Sequence, residues 1–139
     1  MNPLKCVLLA SSLVLSFPVL AHETVRGGDV AGLLHVEPDD APQAGKNVTV
    51  WFELTQRGGK ALSPSSVTLR LKVFEGQNTA KALLTPNVGV GAVGEARGKP
   101  SATLRFPRTG AYTVVLEGRP KKGVNLRPFT LRFDLNAVR

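Results

Sequence analysis

Only one cysteine occurs in the 139 residues, Cys6, and it falls in a segment that reads as removable. From residue 22 onward there is no thiol. No disulfide can brace the chain even in an oxidising compartment, and no cysteine nucleophile can be built. Histidine is nearly as scarce, with His22 and His35 alone, and the single tryptophan is Trp51. Outside residues 6–20 no apolar run approaches the roughly 20 residues of a spanning helix. No segment shows a 3.6-residue apolar stripe of helical length either, which excludes helical architectures and leaves a core to be built from strands.

The first 21 residues have the order of an export signal. Lys5 supplies the positive start, residues 6–20 the apolar stretch, and Val19-Leu20-Ala21 a small-x-small cleavage site. Pro18 interrupts the stretch just before the cut, against an uncleaved anchor. Cys6 stands at the beginning of the apolar stretch, not at its end where a lipoprotein cysteine would be. We therefore expect a signal peptide over 1–21, no membrane-spanning segment after processing, a periplasmic or secreted location, and a mature chain starting at His22. Removing 21 of 139 residues leaves 118, which fits one domain able to bury a core without staples.

Charge is unevenly spread. Residues 22–53 hold six acids against two bases, and residues 54–139 four acids against fifteen bases. The mature surplus, 17 minus 10, is +7. In an exported protein such a surplus points away from nucleic acid and towards an anionic lipid, a glycan or an acidic envelope protein. Its plainer meaning is solubility.

Period-two alternation recurs from residue 34 to the end. In Val48-Thr49-Val50-Trp51-Phe52-Glu53-Leu54 the even positions face a core, leaving Thr49, Trp51 and Glu53 outward. Residues 67–73, 102–106, 112–116 and 129–135 repeat the pattern. Leu34 and Val36 supply a first strand, and residues 80–84 a short one. Turn clusters such as Pro38-Asp39-Asp40, Arg57-Gly58-Gly59-Lys60 and Pro120-Lys121-Lys122-Gly123 separate them. The fold class is all-β, an immunoglobulin-like antiparallel β-sandwich of about seven strands spanning 22–139. Gly110-Ala111-Tyr112-Thr113-Val114 has the Gly-x-Tyr-x-apolar order of a tyrosine corner, where the hydroxyl bonds back to the backbone. The break at 85–101, with four glycines and two prolines, is expected to be a mobile or functional loop.

Several motifs carry chemistry on paper. Gly89-Val90-Gly91-Ala92-Val93-Gly94 matches the dinucleotide fingerprint, but Pro86-Asn87 before it and Gly98-Lys99-Pro100 after it do not suit a strand turning into a helix. Asn47-Val48-Thr49 matches a glycosylation acceptor that opens a strand. Ser63, Ser65 and Ser66 have no base nearby, and Asp39-Asp40, adjacent in a turn, cannot straddle a glycosidic bond. No enzymatic set can be assembled.

The remaining lead is metal binding. A terminal His22 would carry a free α-amine beside its imidazole, and His35 and Glu37, two apart, share the outer face of the first strand. Amine, two imidazoles and a carboxylate form the nitrogen and oxygen donor set that suits copper(II). The alternative is a frayed terminal histidine and a solvated strand residue. A second lead is a basic sheet face: Arg70, Lys72, Arg105 and Arg132 all fall at outward positions and could hold an acidic protein, lipid or glycan.

The segment ending Ala21-His22, the strand from Val48 to Leu54 closed by a glycine turn, the 110–114 corner and Pro128-Phe129-Thr130-Leu131-Arg132-Phe133 resemble the YtkA-like family of small exported bacterial sandwiches. Copper carriers of the CopC type share its broad architecture. The YtkA-like resemblance implies no particular activity, whereas the carriers' amino-terminal histidine ligand has its match in His22; the chain as a whole reads as an envelope binding or accessory module. No carboxyl-terminal histidine motif appears, and no methionine follows Met1.

Overall fold

The computed structural model describes residues 23–139; the expected signal segment and His22 lie outside the described residues. Eight strands run in chain order: β1 Val25–Gly27, β2 Val30–Glu37, β3 Asn47–Gln56, β4 Val67–Glu75, β5 Gly89–Val90, β6 Pro100–Arg105, β7 Gly110–Pro120 and β8 Phe129–Ala137. They form two antiparallel sheets, one of five strands ordered β1-β2-β3-β6-β5 and one of three ordered β4-β7-β8. The protein is an all-β sandwich. No helix among the described residues is long and apolar enough to cross a membrane.

The alternation explains the layers. Val48, Val50, Phe52 and Leu54 of β3 are buried, as are Val67, Leu71 and Val73 of β4 and Phe129, Leu131 and Phe133 of β8. These side chains meet between the sheets, where Phe52 and Phe133 pack with ring centroids 5.6 Å apart. Tyr112 makes the expected corner: its hydroxyl donates to the Arg108 carbonyl at 2.7 Å and accepts from the Arg108 N–H at 3.1 Å. Arg108 in turn donates to both oxygens of Glu75, and this bond and charge hold its guanidinium above its ordinary range.

Three segments differ from expectation. The first long strand begins at Val30, not Leu34, because buried Gly32 breaks the apolar rhythm where Leu131 and Leu54 press in; a Cβ there would lie 2.6 Å from Leu131. Residues 80–84 are no strand, and only Leu83 and Leu84 bond to Val73. The 85–101 segment is hydrogen-bonded on itself: Gly89 pairs with Ser101, Gly91 donates to the Lys99 carbonyl and Gly98 to the Gly91 carbonyl. Its glycine repeat runs from an antiparallel strand into one 3-10 turn, Gly94–Ala96, not into the helix a phosphate cradle requires.

The Pro38-Asp39-Asp40 cluster is a turn, as read. Asp40 takes a positive φ of 56°, its N–H donates to the Val36 carbonyl, and its Oδ1 accepts from the Val36 N–H at 2.8 Å. The preceding Glu37–Pro38 peptide is cis.

Candidate functional site

The outer face of the five-stranded sheet carries one row of side chains set by register. His35 of β2 lies directly opposite Trp51 of β3, and Trp51 opposite Ser101 of β6. Directly opposed antiparallel residues project to the same face, so the imidazole and indole meet. Their rings stack with centroids 3.9 Å apart and planes 11° from parallel. Lys99 reaches the same indole with its Nζ 4.4 Å from the ring centroid, a cation–π contact.

This stack accounts for the burial of an outward residue. Trp51 is only 3% exposed although alternation points it away from the core. Its indole N–H is buried and meets no acceptor among the described residues.

Two carboxylates flank His35. Asp40 Oδ1 lies 3.9 Å from Nδ1 and Glu53 Oε1 3.8 Å from Nε2. Glu53 also accepts a hydrogen bond from Lys99 Nζ at 3.2 Å. Imidazole, indole, ammonium and carboxylate thus form a closed set around β3. Of this set the sequence reading assigned only His35 to a site. Glu53 had a visible signal, since it shares the outward face with Trp51. Asp40 and Lys99 had none, because only the folded turn and loop bring them to the row.

Glu37, expected beside His35, sits exposed at the end of β2 and takes no part in these two contacts. Same-face neighbours along a strand are about 7 Å apart, whereas the turn at Asp40 folds back towards the ring. Among the described residues no group of three His, Cys, Asp or Glu can hold a metal ion. Donors from outside them are needed to complete a site.

The expected basic face is not one face. Arg70 and Lys72 lie on β4 and Arg132 on β8, all in the three-stranded sheet, whereas Arg105 lies on β6 in the other sheet. Lys72 is paired with Glu117 at 2.8 Å, and Arg132 donates to the Gln77 carbonyl. Their stems flank Val115, which is buried although it too points outward.

No protein-family model matches the chain, and no curated protein matches it significantly in sequence. In structure it is similar to FetP of uropathogenic E. coli, recombinantly expressed in the periplasm of E. coli, with a TM-score of 0.57 and 16% identity over 85% of this chain and 94% of that one. It is similar also to a copper-bound FetP variant with glutamine in place of a glutamate, at a TM-score of 0.57 and 15% identity over 85% and 95% of the two chains. The fold is shared with FetP. Sequence identity this low carries the sandwich and none of the site residues. The likeness is one of fold alone, and nothing in the comparisons supports the YtkA-like family.

Proposed function

We infer that this is an exported, non-enzymatic copper(II)-handling module whose site lies at the β1 edge of the five-stranded sheet. The observation that carries the reading is the β1–β2 register. Val25 pairs with Gly32, Arg26 with Ala31 and Gly27 with Val30. The same register continued three residues back from Val25 reaches position 22, and three residues on from Gly32 reaches His35. Glu23 and Thr24 stand outside β1, so the reading asks only that the chain before Val25 keep the direction of β1, which runs alongside β2 towards His35.

Cleavage after Ala21 would make the α-amine of that residue a further ligand. One amine, two imidazoles and the Asp40 or Glu37 carboxylate fit copper(II) better than a softer ion, since from residue 22 onward there is no cysteine or methionine. The fold shared with FetP, one of whose structures is copper-bound, lends the reading support at the level of architecture.

Two measurements test it. Amino-terminal sequencing of the exported protein is expected to start at His22; a start at Met1 or a lipid on Cys6 overturns the reading. Titration with copper(II) is expected to fill about one tight site per chain. His22→Ala and an extra residue placed before His22 should each weaken it at least tenfold, the first by removing the imidazole and the second by displacing the amine. His35→Ala should weaken it less severely. Equal affinity in all variants would leave both histidines as bystanders.

A further inference from the structure

The +7 surplus has a definite place in the fold. One end of the sandwich is made by the β1–β2 turn, the β3–β4 connection at 57–66 and the β7–β8 connection at 121–128. These are joined into one surface. The Arg57 N–H donates to the Asp29 carbonyl, the Lys121 N–H to the Ser66 carbonyl, and the Arg127 guanidinium lies 3.6 Å from Asp29.

That end carries Arg57 and Lys60 on one connection, Lys121, Lys122 and Arg127 on another, and Arg26 and Arg119 at the adjoining strand ends. All seven are exposed. The one acid among them, Asp29, is shared by Arg57 at 3.3 Å and Arg127 at 3.6 Å. Seven bases against one acid give +6 here, whereas the other described residues hold ten bases and nine acids, or +1. The neighbouring 94–99 loop carries Glu95 as well as Arg97, and its Lys99 is paired with Glu53.

We propose that this end is a docking surface for an anionic phospholipid bilayer. The charge is spread across three loops and meets no enclosed pocket, since the groove beside Arg119, lined by Gly28, Pro128 and the Lys72-paired Glu117, is open. It therefore suits a plane of phosphates more than one small anion. A protein partner would call for an apolar or aromatic centre. The exposed large apolar residues, Leu83, Val90, Val93 and Val138, all lie off these three connections. His35 is near the opposite end of β2, so a chain standing on its basic end presents the Trp51 row clear of the lipid.

The experiment is co-sedimentation of the exported protein with vesicles of phosphatidylcholine alone, and with vesicles in which one third is phosphatidylglycerol. Binding is expected to the anionic vesicles only, and to be lost well above physiological salt. Lys121→Glu with Lys122→Glu should weaken partitioning by roughly tenfold or more, as should Arg57→Glu with Lys60→Glu. Arg70→Glu with Arg132→Glu changes net charge by the same amount on the three-stranded sheet face and should weaken it much less. Failure of the wild type to bind anionic vesicles at low salt would overturn the proposal. So would equal binding to neutral vesicles, or equal loss in all three pairs, which would make net charge the cause. A preference for an acidic polypeptide over the anionic vesicles would reassign the surface to a protein. Circular dichroism of each variant separates misfolding from lost binding.

Discussion

Trp51 is outward by alternation and buried by what leans on it, and both facts bear on the site. Removing it strips the surface His35 stacks on and leaves Lys99 only its bond to Glu53. Trp51→Ala should therefore cost about 3 kcal/mol of unfolding free energy, at the low end for a buried tryptophan because the cavity opens to solvent. Trp51→Phe, which keeps a ring beneath the imidazole, should cost less than half of that in a urea titration. Equal losses would mean that stacking plays no part. Trp51 also offers a direct readout, being the sole tryptophan. Copper(II) held by His35 would lie next to the indole, so its emission should fall in proportion to filling of one site, with the fall moved to higher copper(II) concentration in His35→Ala. Emission indifferent to copper would place the ion elsewhere. At Tyr112, loss of the hydroxyl in Tyr112→Phe removes both bonds to Arg108 and should cost about 1–2 kcal/mol without changing copper affinity.

At the scale of the element, β1 is the piece on which the metal reading depends, and Gly27 is what lets it lie where it does. A Cβ there would come within 2.1 Å of the Thr130 carbonyl oxygen, a backbone atom of β8 that cannot swing aside. Gly27→Ala should lift β1 from the sandwich, cost about 1–3 kcal/mol, and weaken copper(II) binding at least tenfold by moving the chain that leads to His22. Gly59→Ala is the control: its φ of +83° makes the substitution strained, but nothing lies within 4 Å and the turn is away from the row. It should cost about 1 kcal/mol and leave copper binding unchanged. The same element shows how far the sequence could be read. Strands of nine to eleven residues such as β3, β4 and β7 declare themselves by alternation. β1 and β5, of three and two residues, are too short to show any period and exist only because a neighbour supplies their hydrogen bonds. The run at 80–84 had the right composition for a strand but meets the open edge of β4 only at Val73. His35 could be placed on the outer face from its neighbours, but its partners Asp40, Trp51 and Glu53 depended on a register and a turn that no local pattern encodes.

On the scale of the whole molecule, the charge is segregated along the strand direction, with the basic end at the Val30 side of β2 and the acids Glu37, Asp39 and Asp40 at the other. From Val30 to His35 is five residues, or about 17 Å at roughly 3.3 Å per residue. That is about two screening lengths at physiological salt, where each is about 8 Å. Charges at the basic end therefore act weakly on an ion held at His35, and the two proposed functions should be energetically separate. Lys121→Glu with Lys122→Glu is expected to leave the copper(II) affinity within about twofold of wild type in 0.15 M salt. Reciprocally, copper loading should leave partitioning onto anionic vesicles unchanged, because a coupling free energy acts equally in both directions. Lowering the salt to about 0.01 M extends screening to about 30 Å, and a modest coupling should then appear, with the charge-reversed variant binding copper(II) more tightly. A coupling of fivefold or more at physiological salt could not come through the solvent at this distance. It would instead require β2 itself to shift when either end is occupied, making the sandwich a two-state element rather than a rigid spacer between its two ends.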